Sequence, residues 1–159
     1  MPGLENLLTR LLESEVRFVV VGGYAAVAHG STVLTRDMDI CLPFDVENLE
    51  TLLVAIEDLH PVHRMTPARP AFDRTALTTS WMSLYLATDW GQLDCLGEIA
   101  GIGGYEEVLK RSEEVPLGEA SCRILTIEAL IRAKEVMGRP KDRETVIQLR
   151  AIRERQQEG

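Results

Sequence analysis

The stretch FVVVGGYAAVAHGSTVLTRDMDICL, residues 18–42, decides the fold of this chain. It begins with four consecutive apolar residues, and a short apolar run of this kind predicts a buried strand. Two glycines end the run, and residues 24–29 then bring good helix formers. A polar link leads to an apolar-rich segment at 37–42. The stretch therefore predicts a strand, a helix and a second strand in that order.

The second strand carries two acidic residues on one face. Side chains alternate along a strand, so Asp37 and Asp39 point the same way. The other face carries the apolar residues Met38, Ile40 and Leu42. Two carboxylates side by side repel each other, and a fold keeps such a pair when a divalent cation lies between them. The pattern therefore predicts a metal site at this strand.

The spacing of these features resembles a known family. An apolar run, Gly22-Gly23, thirteen intervening residues and then Asp37-x-Asp39 resemble the signature of the polymerase-β-like nucleotidyltransferases. The resemblance covers residues 16 to about 149. It implies an α/β (α+β) fold, in which helices flank a mixed β-sheet and further helices follow at the C-terminal end.

The glycine pair indicates a branch within that superfamily. Many members have Gly-Ser where this chain has Gly-Gly, and Gly23 therefore lacks a hydroxyl that some members direct at phosphate. With Thr35-Arg36 just before the first Asp, the motif resembles the small bacterial branch that includes the AbiEii-like toxins. That resemblance implies a role in a toxin-antitoxin or phage-defence system.

A hairpin further along the chain supplies a third acid. Residues 82–87 and 92–96 flank Thr-Asp-Trp-Gly, which is a turn signal, so two antiparallel strands are expected. Asp94 lies in the second arm among apolar neighbours, where its burial would be unfavourable without a partner. An exposed strand acid is one interpretation. The family resemblance implies instead that Asp94 completes a catalytic, metal-binding set with Asp37 and Asp39.

Other segments carry clear local signals. Apolar positions at helical spacing predict a first helix over residues 4–12, and Asp45 is a plausible N-cap of a helix that runs to about residue 59. Residues 60–71 contain three prolines and are expected to form an irregular connection that can include a short strand. Residues 101–104 lack a phosphate-loop pattern and are expected to form a turn.

The C-terminal part is predicted to be helical and is basic. Helices are expected from residue 127 to about 137 and from Pro140 to about 154. Lys134 lies near the edge of the apolar stripe of the first of these, from which it can extend into solvent or reach a phosphate. The resemblance favours the phosphate. The full set of nucleotide-binding candidates is Gly22, Gly23, Ser31, Thr35, Arg36, Lys134 and Lys141.

Composition limits the type of protein. With 159 residues, 45% of them hydrophobic, the chain is expected to form one domain over 1–159, with a sheet core to about 125 and a helical segment over about 126–155. The net charge of −8 argues against a surface that coats nucleic acid, although residues 123–155 hold nine Lys/Arg against five Asp/Glu. No apolar run is long enough for a membrane span, and three scattered cysteines suggest reduced thiols in a cytoplasm.

The resemblance implies a reaction. A nucleoside monophosphate would pass from an NTP to a hydroxyl of RNA or protein, with Mg²⁺ or Mn²⁺ as cofactor. Three functional interpretations stay open: a toxin-like transferase, an antitoxin-like transferase that acts on a cognate partner, and a binding protein that keeps the fold without turnover. The lost hydroxyl at Gly23 slightly favours the third, whereas the intact acidic set argues against it.

Overall fold

Ten strands and six helices are present in the computed structural model, which describes residues 3–70 and 82–159. The strands are β1 (Val19–Val21), β2 (Asp37–Cys41), β3 (Val62–His63), β4 (Thr66–Pro70), β5 (Ser83–Thr88), β6 (Gly91–Leu96), β7 (Glu98–Ile99), β8 (Gly103–Gly104), β9 (Ser112–Leu117) and β10 (Ala120–Leu125). The helices are α1 (Leu4–Leu12), α2 (Gly22–Ala28), α3 (Val46–Ile56), α4 (Tyr105–Lys110), α5 (Ile127–Met137) and α6 (Pro140–Glu158). A short 3₁₀ helix, Glu57–Leu59, extends α3.

Eight of the strands form one sheet in the order β4-β3-β5-β6-β2-β1-β10-β9. The pairs β1·β10 and β2·β6 are parallel, whereas the other neighbours are antiparallel, so the sheet is mixed. Strands β7 and β8 form a separate small ribbon. These features, together with the C-terminal helices, confirm the predicted α/β fold.

The helices pack on the sheet through their apolar faces. Helix α1 buries Leu7, Leu8 and Leu11 and contacts α3 as well as strands β2, β6 and β10. Helix α2 contacts β1, β2, α5 and α6, so the C-terminal helices lie beside the glycine turn that follows β1. Strands β1 and β2 are central in the sheet, so the acidic pair of β2 lies near the middle of the sheet rather than at an edge.

The residues predicted to begin or end a helix do so in the structure. The Asp45 side chain accepts a hydrogen bond from the backbone N–H of Asn48, as expected of an N-cap. Thr126 caps α5 in the same way by accepting from the N–H of Ala129. Helix α5 ends at Gly138, which adopts φ +65°, a left-handed conformation suited to glycine.

Two segments predicted to be mainly irregular contain more strand than expected. Within residues 60–70, β3 and β4 pair with each other and β3 extends the sheet beside β5; residue 71 lies outside the described residues. Residues 103–104 pair with 98–99, so only residues 101–102 of the glycine-rich segment lie in the turn. Strands β3, β4 and β8 form because they pair with other strands, and proline and glycine content does not reveal such pairing.

The three cysteines lie inside the protein and do not form disulfides with one another. Cys41, Cys95 and Cys122 are free and buried, as expected of reduced thiols. Burial raises the pKa of the Cys122 thiol to about 11 and that of Cys41 to about 12. None of the helices in the described ranges combines the length and the apolar character that crossing a bilayer requires.

Candidate active site

Three carboxylates converge where β2 runs beside β6. Asp39 lies directly opposite Asp94 in the parallel register of the two strands, and Asp37 precedes Asp39 by one strand repeat on the same face. One oxygen from each of the three carboxylates lies within 4.8 Å of the others. Within the described residues, this is the one group of three or more acidic, histidine or cysteine ligands close enough to share a metal ion.

The alternation of β2 and β6 places these acids away from the apolar core. Met38 and Ile40, on the opposite face of β2, are fully buried, and so is Cys95 on β6. Asp94 is itself 9% exposed, so it is nearly enclosed at its place in the sheet. A shift of one residue in either strand would exchange acids and core residues, and the apolar residues therefore keep the acids in register.

Two of the three carboxyl groups have raised pKa values, which means that burial and mutual repulsion disfavour their charged forms. Burial raises the pKa of the Asp39 carboxyl to about 6, and the nearby charges of Asp94 and Asp37 add to this while Lys134 opposes it. Burial also raises the pKa of Asp94, although hydrogen bonds and charge from Arg64 act against the rise. Carboxylate oxygens are the ligands that Mg²⁺ and Mn²⁺ prefer, so this donor set fits a divalent cation.

Glycine is required at the turn between β1 and α2. Gly22 adopts φ +66°, and a side chain there would overlap the Asp39 carboxylate. A Cβ atom at Gly23 would lie 3.0 Å from Thr35 Oγ1. The threonine hydroxyl therefore lies next to the space that a residue-23 side chain would use in a Gly-Ser version of this turn.

The predicted hydroxyl donors also support the loop before β2. Ser31 Oγ donates to Gln148 Oε1 at 2.8 Å and accepts from the N–H of Val33, which ties this loop to α6. Thr35 Oγ1 donates to the backbone carbonyl of Asp37 at 3.1 Å. Both side chains thus have structural partners, and their binding of nucleotide stays a prediction.

A polar cavity of about 140 Å³ lies in front of the carboxylates. Its walls include the three acids and five of the predicted nucleotide-binding residues: Gly23, Ser31, Thr35, Lys134 and Lys141. Gly22 lines a second, neighbouring cavity. Arg36 is exposed and lines neither of the two cavities. The fold therefore brings most of the predicted set to one place, with Arg36 outside it.

Lys134 points inward rather than into solvent. Its side chain is only 12% exposed, and Nζ lies 3.5 Å from Asp142 Oδ1, which is almost completely buried. Arg139 binds the same carboxylate through its backbone N–H and its guanidinium, with Nε at 2.6 Å from Oδ2. Burial by itself would raise the pKa of Asp142, but these two cations lower it overall. The interpretation of Lys134 as a solvent-exposed lysine is therefore wrong.

The second cavity, of about 270 Å³, lies on the other side of Asp39. Val21, Leu96, Leu130 and Met137 give it a mainly apolar wall. Three residues line both cavities, namely Asp39, Lys134 and Arg139. An apolar space and a polar space therefore meet at the acid cluster, with two cationic side chains between them.

Sequence reasoning missed Arg64 and Arg139. Arg64 Nη1 donates to Asp94 Oδ1 at 2.5 Å, which is the partner that a nearly enclosed acid requires. The isolated position of Asp94 among apolar residues signalled that a partner existed, but not where it lay. Arg139 follows the glycine that ends α5, where the sequence showed only a helix stop.

The mixed sheet, the glycine turn and the three converging carboxylates fit the nucleotidyltransferase class. A family model supports this directly, because it matches residues 1–158. The chain belongs to that family, which is described as "Nucleotidyl transferase of unknown function (DUF2204)". No curated protein matches the chain.

Proposed function

We propose that this protein transfers a nucleoside monophosphate from an NTP to a hydroxyl of RNA or protein in the cytoplasm. The convergence of Asp37, Asp39 and Asp94 beside a cavity lined by lysines carries the proposal. In the reaction the acceptor oxygen bonds to the α-phosphorus, the bond to pyrophosphate breaks, and the hydroxyl loses its proton. The membership of the family supports the general class of this reaction.

Each part of the site has a task in this reaction. The three carboxylates would hold Mg²⁺ or Mn²⁺, which would supply positive charge beside the triphosphate and the acceptor hydroxyl. Gly22 leaves room beside Asp39, so that backbone N–H groups of the turn can approach phosphate oxygens. Lys134 and Lys141 line the polar cavity and offset charge on the leaving pyrophosphate. Arg36 is exposed and lines neither cavity, and its contact with phosphate stays a prediction.

The two cavities suit the two ends of a nucleotide. The polar cavity accepts charged phosphates, and the apolar cavity of about 270 Å³ accepts a base and sugar. Asp39 lines both, so the bond that is exchanged would lie near the acids.

The Gly-Gly motif with Thr35-Arg36 favours the AbiEii-like branch, and hence a toxin-like transferase in a toxin-antitoxin or phage-defence system. An antitoxin-like transferase that modifies a cognate partner is the second candidate, because it would use the same acids and cavity. A non-catalytic relative is less favoured. Thr35 Oγ1 lies next to the space of a residue-23 side chain, so a hydroxyl is present there despite the glycine.

The test is transfer of label from each α-³²P-labelled NTP, with Mg²⁺ or Mn²⁺, to total RNA or total cell protein. The wild type should label one fraction, and Asp37→Ala should label neither because it deletes a ligand of the cations. Asp58→Asn is a matched control, since Asp58 is an exposed acid whose partner is Arg10. A wild type that labels neither fraction with any NTP would refute the proposal.

A further inference from the structure

A row of side chains extends from the acid cluster to β3. Asp39 on β2 pairs with Asp94 on β6, and Asp94 pairs with Tyr85 on β5. The backbone N–H of Arg64, just after β3, donates to the carbonyl of Tyr85 at 2.9 Å. Because directly opposed residues share a face, the acid cluster continues across the sheet to Arg64.

The Arg64 guanidinium is held from several sides. Nη1 lies 2.5 Å from Asp94 Oδ1 and 3.2 Å from Gln92 Oε1, and Cζ lies 5.3 Å from the centre of the Tyr85 ring. The contact of Nη2 with Asp94 Oδ2 is longer, at 3.4 Å. Arg64 therefore contacts Asp94 Oδ1 more closely than it contacts Asp94 Oδ2.

We propose that Arg64 is a positioning residue that holds Asp94 in place for cation binding with Asp37 and Asp39. This inference rests on the cation site of the proposed function. A carboxylate beside two others is repelled by them, and a fixed guanidinium on its far side keeps it in the cluster. Asp94 Oδ2, which lies farther from the guanidinium than Oδ1 does, is the oxygen that we assign to the cation. Partners of this kind orient metal ligands, and their loss typically weakens metal affinity about 10- to 100-fold.

A role for Arg64 as a competitor of the cation predicts the opposite change in cation affinity. If Arg64 instead competes with the cation for Asp94, its removal would release both oxygens and tighten cation binding. The sign of the change in affinity therefore decides between positioning and competition. A purely structural role would change the stability of the protein and leave the affinity of the folded form unaltered.

The chain offers a closely matched control. Arg10 Nη1 binds Asp58 Oδ1 at 2.6 Å, and Arg10 Cζ lies 4.7 Å from the centre of the Trp90 ring. Its side chain is 28% exposed against 26% for Arg64. Both arginines thus join a carboxylate to an aromatic ring, but only Arg64 contacts an acid of the cluster.

The experiment is isothermal titration of the metal-free protein with Mn²⁺ alone, accompanied by urea unfolding in EDTA. Arg64→Gln should weaken Mn²⁺ binding about 10- to 100-fold. Arg64→Lys should fall in between, because an ammonium keeps the charge but not the forked contact. Arg10→Gln should bind Mn²⁺ as the wild type does, whatever its loss of stability.

Each outcome has a defined meaning. Unchanged or tighter binding by Arg64→Gln overturns the inference while the cation site stands. If Arg64→Gln does not fold, Arg64→Lys decides, and wild-type affinity in that variant overturns the inference. A wild type that binds no Mn²⁺ overturns both this inference and the cation site of the proposed function.

Discussion

Asp39 is expected to destabilise the metal-free protein at neutral pH. Burial, with added repulsion from Asp94 and Asp37, raises the pKa of its carboxyl from 3.8 to about 6. The folded state therefore binds this proton more tightly than the unfolded chain does. Asp39→Asn keeps the size of the side chain and removes the charge, so it should stabilise the metal-free fold above pH 6.

The pKa shift sets the size of the effect. A difference of about two units at about 1.36 kcal/mol per unit corresponds to roughly 3 kcal/mol. Because the folded-state pKa is the higher one, the stabilising contribution of the protonated group is complete below pH 3.8 and is lost as the pH rises through about 6. The stability difference between Asp39→Asn and wild type should therefore grow by up to about 3 kcal/mol across this window.

Urea unfolding in EDTA at a series of pH values measures this difference. Asp58→Asn is the control of opposite sign, because a hydrogen bond from Arg10 lowers the pKa of Asp58. Removal of that carboxylate should lower stability at neutral pH relative to acid pH. A difference between Asp39→Asn and wild type that does not change with pH would refute the assigned electrostatics. Millimolar Mg²⁺ should stabilise the wild type and have no such effect on Asp39→Asn.

Two further substitutions test the turn and the cation. Gly22→Ala should lower the free energy of unfolding more than Gly118→Ala does. Both glycines have φ above +60°, so each substitution brings a backbone strain of about 1–2 kcal/mol, but only at Gly22 would the new methyl group meet the Asp39 carboxylate. Urea unfolding of the two variants measures the difference. Lys134→Ala should weaken NTP binding by about 1.5–3 kcal/mol in a calorimetric titration, and it should also lower the free energy of unfolding because the contact with Asp142 is lost. Arg150→Ala is the control, since it breaks only an exposed ion pair and should change neither quantity by more than about 1 kcal/mol. Wild-type NTP affinity in Lys134→Ala would exclude a phosphate contact.

The elements that the sequence predicted well depend on short-range patterns. The alternation along β2 placed Asp37 and Asp39 on one face, and the side chains of Asp45 and Thr126 mark the helix starts that they cap. These signals act within a few residues, so neither the sheet order nor the packing is needed to read them.

The contacts that sequence reasoning missed depend on the sheet order. Arg64 is thirty positions away from Asp94, and they meet because β3, β5 and β6 are neighbours. The inward direction of Lys134 likewise depends on Asp142, which belongs to the next helix. A helical stripe shows that a lysine lies at its edge, but only the fold shows what lies beyond that edge.

The parallel pairing of β1 with β10 also affects how the protein is made. Val20 of β1 pairs with Ile124 of β10. The pair can form only after the ribosome has made about a hundred more residues beyond β1. At about 5–20 residues per second, one edge of β1 stays open for at least about 5–20 s during synthesis. An open strand edge is a template for wrong pairing. The nascent chain therefore passes through a period in which its own sheet cannot yet cover the strand that leads into the candidate site.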